Sequence, residues 1–373
     1  MSVIVRVLRD LKRDRFFLVL LAGLAGFAIY QPARIPSFGA LIDWPTISAL
    51  AGLLLLTKGL EVSGALHALG RRLVESMATE RAAALFLVST AALLSTALTN
   101  DVALFVVVPL TIGVCRLTGM PLTKTVVFEA LAVNVGSALT PIGNPQNIFL
   151  WQLADVPFGD FIWHQLPLVA SLMVALLALT AFAFRARSFD VIEHEVSTLD
   201  RRLLGVCLAL YVPFLVATDM HHAGVATAAV LLLFLVLRPR VVAELDWGLL
   251  LVFALMFIDL RLLAGLDAVS ALMLKLGLQK PANLYWVGIG VSQLVSNVPA
   301  TIALAEFSRD WRVIAYSVNV GGFGWMVGSL ANLIALRMTG DRNAWKTFHL
   351  YAIPALAVAA GIGYVLLFLL PRS

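Results

Sequence analysis

Charge is what this chain has least of. Asp, Glu, Lys and Arg make up 13% of its 373 residues, where a soluble protein carries about 25%. That shortage excludes a large water-exposed domain. Cysteine is also scarce. Cys115 and Cys207 both lie in apolar runs, and they offer neither a disulfide framework nor a metal-ligand spacing. No His-Glu-x-x-His motif and no P-loop occurs, which argues against a zinc hydrolase and against an ATP-driven pump within this chain. An intramembrane enzyme would need a nucleophile with its base, or a pair of carboxylates. Asp101 has no matching second aspartate, and no Ser–His arrangement is apparent.

What is there is apolar, 61% of the residues. The chain is therefore expected to be an all-α polytopic membrane protein. Every backbone polar group must then be satisfied inside the protein or line a cavity. The net charge of +5 does not point to nucleic acid. The basic residues sit in short loops between apolar runs, which is the positive-inside pattern. No cleavable signal is evident. The basic start (Arg6, Arg9, Lys12, Arg13, Arg15) precedes a run that reads as a membrane anchor.

A helix needs about 20 apolar residues to cross a bilayer. By that measure, helices are expected over 16–31, 44–62, 161–184, 203–218, 223–238, 247–264 and 348–370. Between them lie four stranger segments. Arms 82–98 and 102–117 meet at Thr99-Asn100-Asp101 and read as a hairpin that enters and leaves on one side. A second hairpin is expected over 283–308, with its tip at Ser296-Asn297-Val298-Pro299. Segment 122–154 is interrupted at Thr140-Pro141-Ile142-Gly143-Asn144-Pro145. Proline removes a backbone donor, and Asn-Pro is a good helix restart. Segment 313–338 is Gly-rich and reads as a second broken helix.

These segments are one pattern written twice. Ser95, Thr99 and Asn100 match Ser292, Ser296 and Asn297 at one constant offset. Asn134, Gly136, Gly143 and Asn147 match Asn319, Gly321, Gly328 and Asn332 at a second. Asp43-Trp44 and Asp246-Trp247 open the two copies, and Pro167 and Pro354 sit alike in the closing helices. The organisation read from this is 1–42 with the first helix, repeat one over 43–184, a connector with two helices over 185–245, and repeat two over 246–373. Basic residues in the loops at 63–81 (Arg71, Arg72, Arg81), 185–202, 238–246 and 338–347 put those loops and the N-terminus in the cytoplasm. Lys275, Lys280, Arg309 and Arg312 fall outside and weaken that signal. The repeats then have opposite orientation. The expected architecture is about nine transmembrane helices plus two re-entrant hairpins and two discontinuous helices in an inverted repeat.

Hairpin tips and helix breaks expose free carbonyls, which suit a cation, and free N–H groups at positive dipole ends, which suit an anion. Candidate solute- and ion-binding residues are Ser95, Thr99, Asn100, Asp101, Asn134, Gly136, Ser137, Thr140, Gly143, Asn144 and Asn147 in repeat one. In repeat two they are Ser292, Ser296, Asn297, Asn319, Gly321, Gly322 and Asn332. A sodium ion near Asn100 and Asn297 is a candidate occupant. The plainer alternative is that these small polar residues only cap helices and glue them together. Two matched motifs favour a site over glue. Asp101 is unmatched, with Val298 in its place. A carboxylate at membrane depth is a functional candidate, here for a proton or sodium ion. Its alternative is a helix-capping role. Lys58 and Arg261 are matched near helix ends, with Asp259 a candidate partner for Arg261; Glu129 and Glu306 are weaker candidates. His221 and His222 read as solvated.

At these residues the chain resembles the ion transporter superfamily, which includes arsenite permeases, citrate-type transporters and divalent anion–sodium symporters. Leu98-Thr99-Asn100-Asp101-Val102-Ala103 and Thr140-Pro141-Ile142-Gly143-Asn144-Pro145-Gln146-Asn147-Ile148 look like the arsenite permease branch. The symporter branch has Ser-Asn-Thr at each tip; here the tips are Thr-Asn-Asp and Ser-Asn-Val. The resemblance implies a secondary transporter of a small anion, arsenite-like, carboxylate or inorganic. Proton or sodium coupling is implied, with no other cofactor. Ser95, Thr99, Asn100, Asn134 and Gly136 would form one ion site, and Ser292, Ser296, Asn297, Asn319 and Gly321 the other. Alternatives are a sodium–proton antiporter of the same superfamily, an ion channel, or an intramembrane enzyme. Expected partners are membrane lipid, the solute and, by resemblance, a second copy of the chain. The expected location is a bacterial inner membrane.

Overall fold

A computed structural model describes residues 15–65, 79–188 and 199–370. The basic start before Arg15, the Arg71-Arg72 pair and part of the 185–202 loop lie outside the described residues. Apart from one isolated bridge between Thr79 and Ser188, the described chain is helices and their connections. This is a membrane protein. Among the described residues, five helices are long and apolar enough to cross a bilayer: Trp44–Val62, Glu80–Ala97, Phe158–Ala183, Arg201–Asp219 and Ala344–Leu369.

Repeat one begins after α1 (Arg15–Tyr30) and a 3-10 helix over Pro32–Leu41. It comprises α2 (Trp44–Val62), α3 (Glu80–Ala97), α4 (Asn100–Thr118), α5 (Leu122–Ser137), α6 (Pro145–Ala154) and α7 (Phe158–Ala183). Then come α8 (Arg201–Asp219), α9 (Ala223–Leu237) and the short α10 (Pro239–Ala243). Repeat two comprises α11 (Trp247–Ala264), α12 (Asp267–Lys275), α13 (Pro281–Val295), α14 (Asn297–Ala305), α15 (Trp311–Val320), α16 (Leu330–Met338) and α17 (Ala344–Tyr364). Neither the 3-10 segment nor α12 was expected from the sequence.

The two copies start by the same local chemistry. Asp43 caps α2 by accepting from Thr46 N at 3.0 Å, and Asp246 caps α11 by accepting from Leu249 N at 2.9 Å. An aspartate at this position satisfies one of the orphan amides of a first turn. The tryptophan that follows folds back identically in both copies. Trp44 Nε1 donates to Gly39 O and Trp247 Nε1 to Val242 O, each at 3.1 Å.

Both expected hairpins are present as helix–turn–helix pairs. The first turns at Leu98-Thr99, the second at the single residue Ser296. Both expected breaks are present between α5 and α6 and between α15 and α16; the second contains a 3-10 turn at Met326–Gly328. In each copy the outgoing arm packs on the first half of its own broken helix, α3 on α5 and α13 on α15. The returning arms pack there too, and they also cross over. α4 packs on α16 and α14 packs on α6.

Helix ends gather in two groups. In one, Asp200 N donates to Ser63 O at 2.9 Å, Glu80 N to Arg187 O at 2.8 Å, and Thr123 Oγ1 to Asp341 at 2.8 Å. In the other, Phe158 N donates to Asp219 at 2.9 Å, His221 meets Asp155 at 2.8 Å, and Gln279 Nε2 donates to Phe307 O at 3.3 Å. Both feet of the first hairpin belong to the first group, and both feet of the second hairpin to the other.

Candidate functional site

Each matched serine meets its matched glycine. A Cβ on Gly136 would run into Ala92 O and Ser95 Oγ; a Cβ on Gly321 would lie 2.6 Å from Ser292 Oγ. Glycine is required where an arm and a broken helix approach this closely. The serine hydroxyls are spent locally. Ser95 donates to Ala92 O at 2.9 Å and Ser292 to Gly288 O at 2.8 Å, and both residues are fully buried. Each serine also packs at the glycine contact.

The breaks are tied to the tips. Asn100 N donates to Gly143 O at 2.9 Å, and Thr140 Oγ1 to Thr96 O at 2.6 Å. In the second copy, Gln293 takes the place of Thr96. Its Nε2 donates to Gly321 O at 2.6 Å, and its Oε1 accepts from Trp325 N at 2.8 Å. Neither Thr99 nor Ser296 caps the returning arm with its side chain. Asn100 Oδ1 instead accepts from Asp101 N at 3.0 Å. Ser296 has φ 76° and ψ 156°, a region that is essentially glycine-only and strains other residues.

Across the two copies the asparagines pair reciprocally. Asn134 Nδ2 donates to Asn332 Oδ1 at 2.8 Å, and Asn319 Nδ2 donates to Asn147 Oδ1 at 2.9 Å. Asn134 and Asn319 are equivalent in the repeat, as are Asn147 and Asn332. When i contacts j′ and i′ contacts j, the interface is isologous, the signature of two-fold symmetry. Asn144 and Gln146 also donate to Asn319 Oδ1, at 3.1 and 3.4 Å. Asn144 Nδ2 reaches Ser137 Oγ at 3.2 Å, and its Oδ1 caps α6 through Asn147 N at 2.9 Å. Asn147 and Asn332 spend further donors on the break carbonyls Thr140 O and Gly322 O, at 3.0 and 2.9 Å. Asn134 Oδ1 and Asn297 Nδ2 each lie 3.4 Å from where a Gly322 Cβ would sit. Tips and breaks of both copies thus form one buried polar centre. Four helix N-termini, those of α4, α6, α14 and α16, begin there.

Asp101 sits in the first turn of α4, and its Oδ1 is buried without a hydrogen-bond partner among the described residues. Gln146 Oε1 and Ser329 Oγ are in the same condition. Sequence reasoning missed Gln146 and Gln293. Both adjoin the repeated asparagines, and Gln293 occupies the register of Thr96. Arg261 does not pair with Asp259. It meets Glu306 at 3.2 Å and Asp43 at 3.7 Å, while Asp259 lies against Gly23 on α1. Lys58 pairs with Glu61 at 2.9 Å.

At the far ends of α6 and α14 from the polar centre lies a cavity of about 290 Å³, lined by Phe149, Leu153, Arg261, Ala305, Glu306 and Arg309. A neighbouring one of about 150 Å³ adds Leu150, Ser308 and Trp311.

Comparison with known proteins identifies the family. The sequence model of the citrate transporter family matches residues 8–310. The inner membrane protein YbiR of Escherichia coli is 47% identical over 368 residues, 98% of this chain and 99% of the relative. An uncharacterized transporter of Methanocaldococcus jannaschii, MJ0456, is 31% identical over 306 residues, covering 80% of this chain and 82% of the relative. The putative transporter arsB of Dictyostelium discoideum is 27% identical over 138 residues, 36% of this chain and 23% of the relative. With a matched region of that extent the chain belongs to the citrate transporter family, a family of transporters and not of enzymes.

Proposed function

We propose that this protein is a secondary active transporter of a small anion, coupled to a proton or sodium ion. The solute occupies the centre between the hairpin tips and the helix breaks. The observation that carries this is the reciprocal pairing of Asn134 with Asn332 and of Asn319 with Asn147. It joins two oppositely built halves at a polar centre deep in an apolar protein, the arrangement on which alternating access depends. Helix N-termini supply the positive ends that favour an anion. The cavity beside Arg261 and Arg309, at the outer ends of α6 and α14, supplies a vestibule on one face.

The membrane arrangement that goes with this reading has about nine crossings, a cytoplasmic N-terminus and an inner-membrane location. The hairpins are re-entrant and enter from opposite faces. The grouping of their feet with opposite sets of helix ends supports it. Asp101 is the coupling residue in this reading, supported by its unpartnered buried oxygen. That same oxygen favours a second reading, sodium–proton exchange without a solute.

The test is flux into proteoliposomes with citrate or arsenite as probe, under imposed pH or sodium gradients. Saturable uptake driven uphill by a gradient supports the anion carrier. Ion exchange with neither probe moving supports the antiporter. Downhill, non-saturating flux fits a channel and contradicts both.

A further inference from the structure

Glu129 has no part in the centre just described, yet it is among the most deeply buried ionisable groups of the protein, with no exposed surface at all. It sits midway along α5, about 10 Å from the start of that helix at 1.5 Å per residue. Its Oε1 accepts from Thr111 Oγ1 on α4. Its Oε2 is buried without a partner among the described residues. Burying an ionised, unpaired carboxylate at this depth is costly enough that the group takes up a proton instead.

Among the described side chains around it, none is a counter-ion. Thr125, one turn before Glu129 on α5, and Cys115, one turn after Thr111 on α4, share the facing surfaces and are buried. Cys115 is the titratable neighbour. The other charged or titratable groups on the helices packed around α5 are engaged or remote. Lys124 in the first turn of α5 donates to Ala183 O and lies over the Phe184 ring. On α3, Arg81 donates to Phe184 O at 3.0 Å, and Glu80 occupies the first turn. On α4, Asp101 is at the opposite end from Thr111. On α7, Asp160 and His164 belong to the opposite group of helix ends. Arg337 closes the last turn of α16. On α17, Lys346 lies over Trp345, His349 meets Trp345 O, and Tyr351 packs its ring on Phe128.

The repeat supplies an independent argument that this carboxyl is not there for packing. At the offset that matches Asn134 with Asn319, Glu129 corresponds to Ile314, which is 1% exposed. Asp101 corresponds in the same way to Val298, 5% exposed. The same architecture packs a plain hydrocarbon at both equivalent positions. Both acidic groups therefore lie in repeat one alone, and α4 connects them. Asp101 is at its tip and Thr111 is about 15 Å further along it, toward the foot of the hairpin.

We propose that Glu129 is a proton-binding site, holding on Oε2 a proton that exchanges with water along α4 between the polar centre and the foot of the first hairpin. On release, the O–H bond breaks, the proton passes to water, and the electron pair stays on the carboxylate. The inference rests on the transporter reading for its purpose, but its test does not need a transported solute.

The experiment is infrared spectroscopy of the purified full chain in lipid, in ordinary and heavy water, for the wild type, Glu129→Gln and Glu129→Asp. Gel filtration and circular dichroism check that each variant is folded. The expected result is a protonated-carboxyl C=O band at neutral pH that shifts in heavy water, is lost in Glu129→Gln, and returns in Glu129→Asp. The band of Asp101 is subtracted using Asp101→Asn. A spectrum unchanged by Glu129→Gln, or a band that heavy water does not shift, overturns the proposal. The first would mean an ionised group and the second a sealed structural one. Absence of gradient-driven flux with citrate or arsenite in wild-type vesicles would count against the transporter reading and leave the spectra to decide Glu129.

Discussion

Asn134 and Asn332 come from opposite halves of the chain and meet side chain to side chain at 2.8 Å. Their repeat equivalents, Asn319 and Asn147, meet at 2.9 Å. Asn134, Asn147 and Asn332 also donate to carbonyls freed by a helix break. Removing one partner therefore leaves buried polar atoms unpaired, at a cost of about 1–3 kcal/mol. Asn319→Ala is expected to destabilise more than Asn134→Ala, because Asn144 and Gln146 also donate to Asn319 Oδ1 and would lose that acceptor. Denaturant unfolding in detergent checks this. In a double-mutant cycle, Asn134→Ala with Asn332→Ala is expected to show coupling of about 1 kcal/mol. Additive effects would mean that the pairing carries no energy.

Close-packed and open glycines separate sharply. A Cβ at Gly136 meets the backbone oxygen of Ala92, whereas one at Gly113 on α4 meets nothing within 4 Å. Gly136→Ala is expected to cost about 1–3 kcal/mol or more through forced backbone movement. Gly113→Ala is expected to be neutral or to stabilise by about 0.5–1 kcal/mol through helix propensity. Thermal melts of the two variants side by side make the comparison.

Ser296 holds the second hairpin's turn in a backbone region that suits glycine. Such strain amounts to about 1–3 kcal/mol, so Ser296→Gly is expected to raise the melting temperature. Thr99, with φ −64° and ψ 150°, is unstrained, and Thr99→Gly is expected to lower it. If Ser296→Gly were neutral or destabilising, the turn would not be storing strain.

Asp101→Asn keeps the size of the side chain and removes the charge. The variant is expected to fold and reach the membrane normally, and to lose the dependence of solute uptake on an imposed ion gradient. Gradient-driven uptake at the wild-type rate would remove Asp101 from coupling.

Much of this construction was legible beforehand. Polar residues in apolar sequence stand out, and Asn-Pro or Gly-rich interruptions force a helix to stop. That placed the helix ends at Leu98-Thr99 and Ser296 and the interruptions after Ser137 and Val320 to within a few residues. The partners of each side chain were not legible. Asn147 and Asn332 looked free to meet a solute, but here their donors go to break carbonyls, and the acceptor that each presents takes a hydrogen bond from the other half of the chain. Only the packing of the two halves decides that. Asp259 looked adjacent to Arg261, yet residues two apart on a helix point to different faces. Glu129 passed as a weak candidate because one acidic residue in a helix carries no pattern; its burial against Thr111 is a tertiary fact. Ser95 and Ser292 were expected in ion sites together with Gly136 and Gly321; each serine lies against its glycine and donates to its own helix, a contact no sequence pattern announces.

The sidedness of the two hairpins tests the whole account most directly. Ala82 lies at the foot of the first hairpin and Lys280 at the foot of the second, both exposed. The measurement is labelling of Ala82→Cys and Lys280→Cys in intact cells with a membrane-impermeant thiol reagent, with Cys115 and Cys207 replaced by alanine. The account predicts that the second variant is labelled from outside, and the first only after the membrane is opened. Labelling of both from the same side would contradict the inverted arrangement, and with it the central site built from two opposed halves.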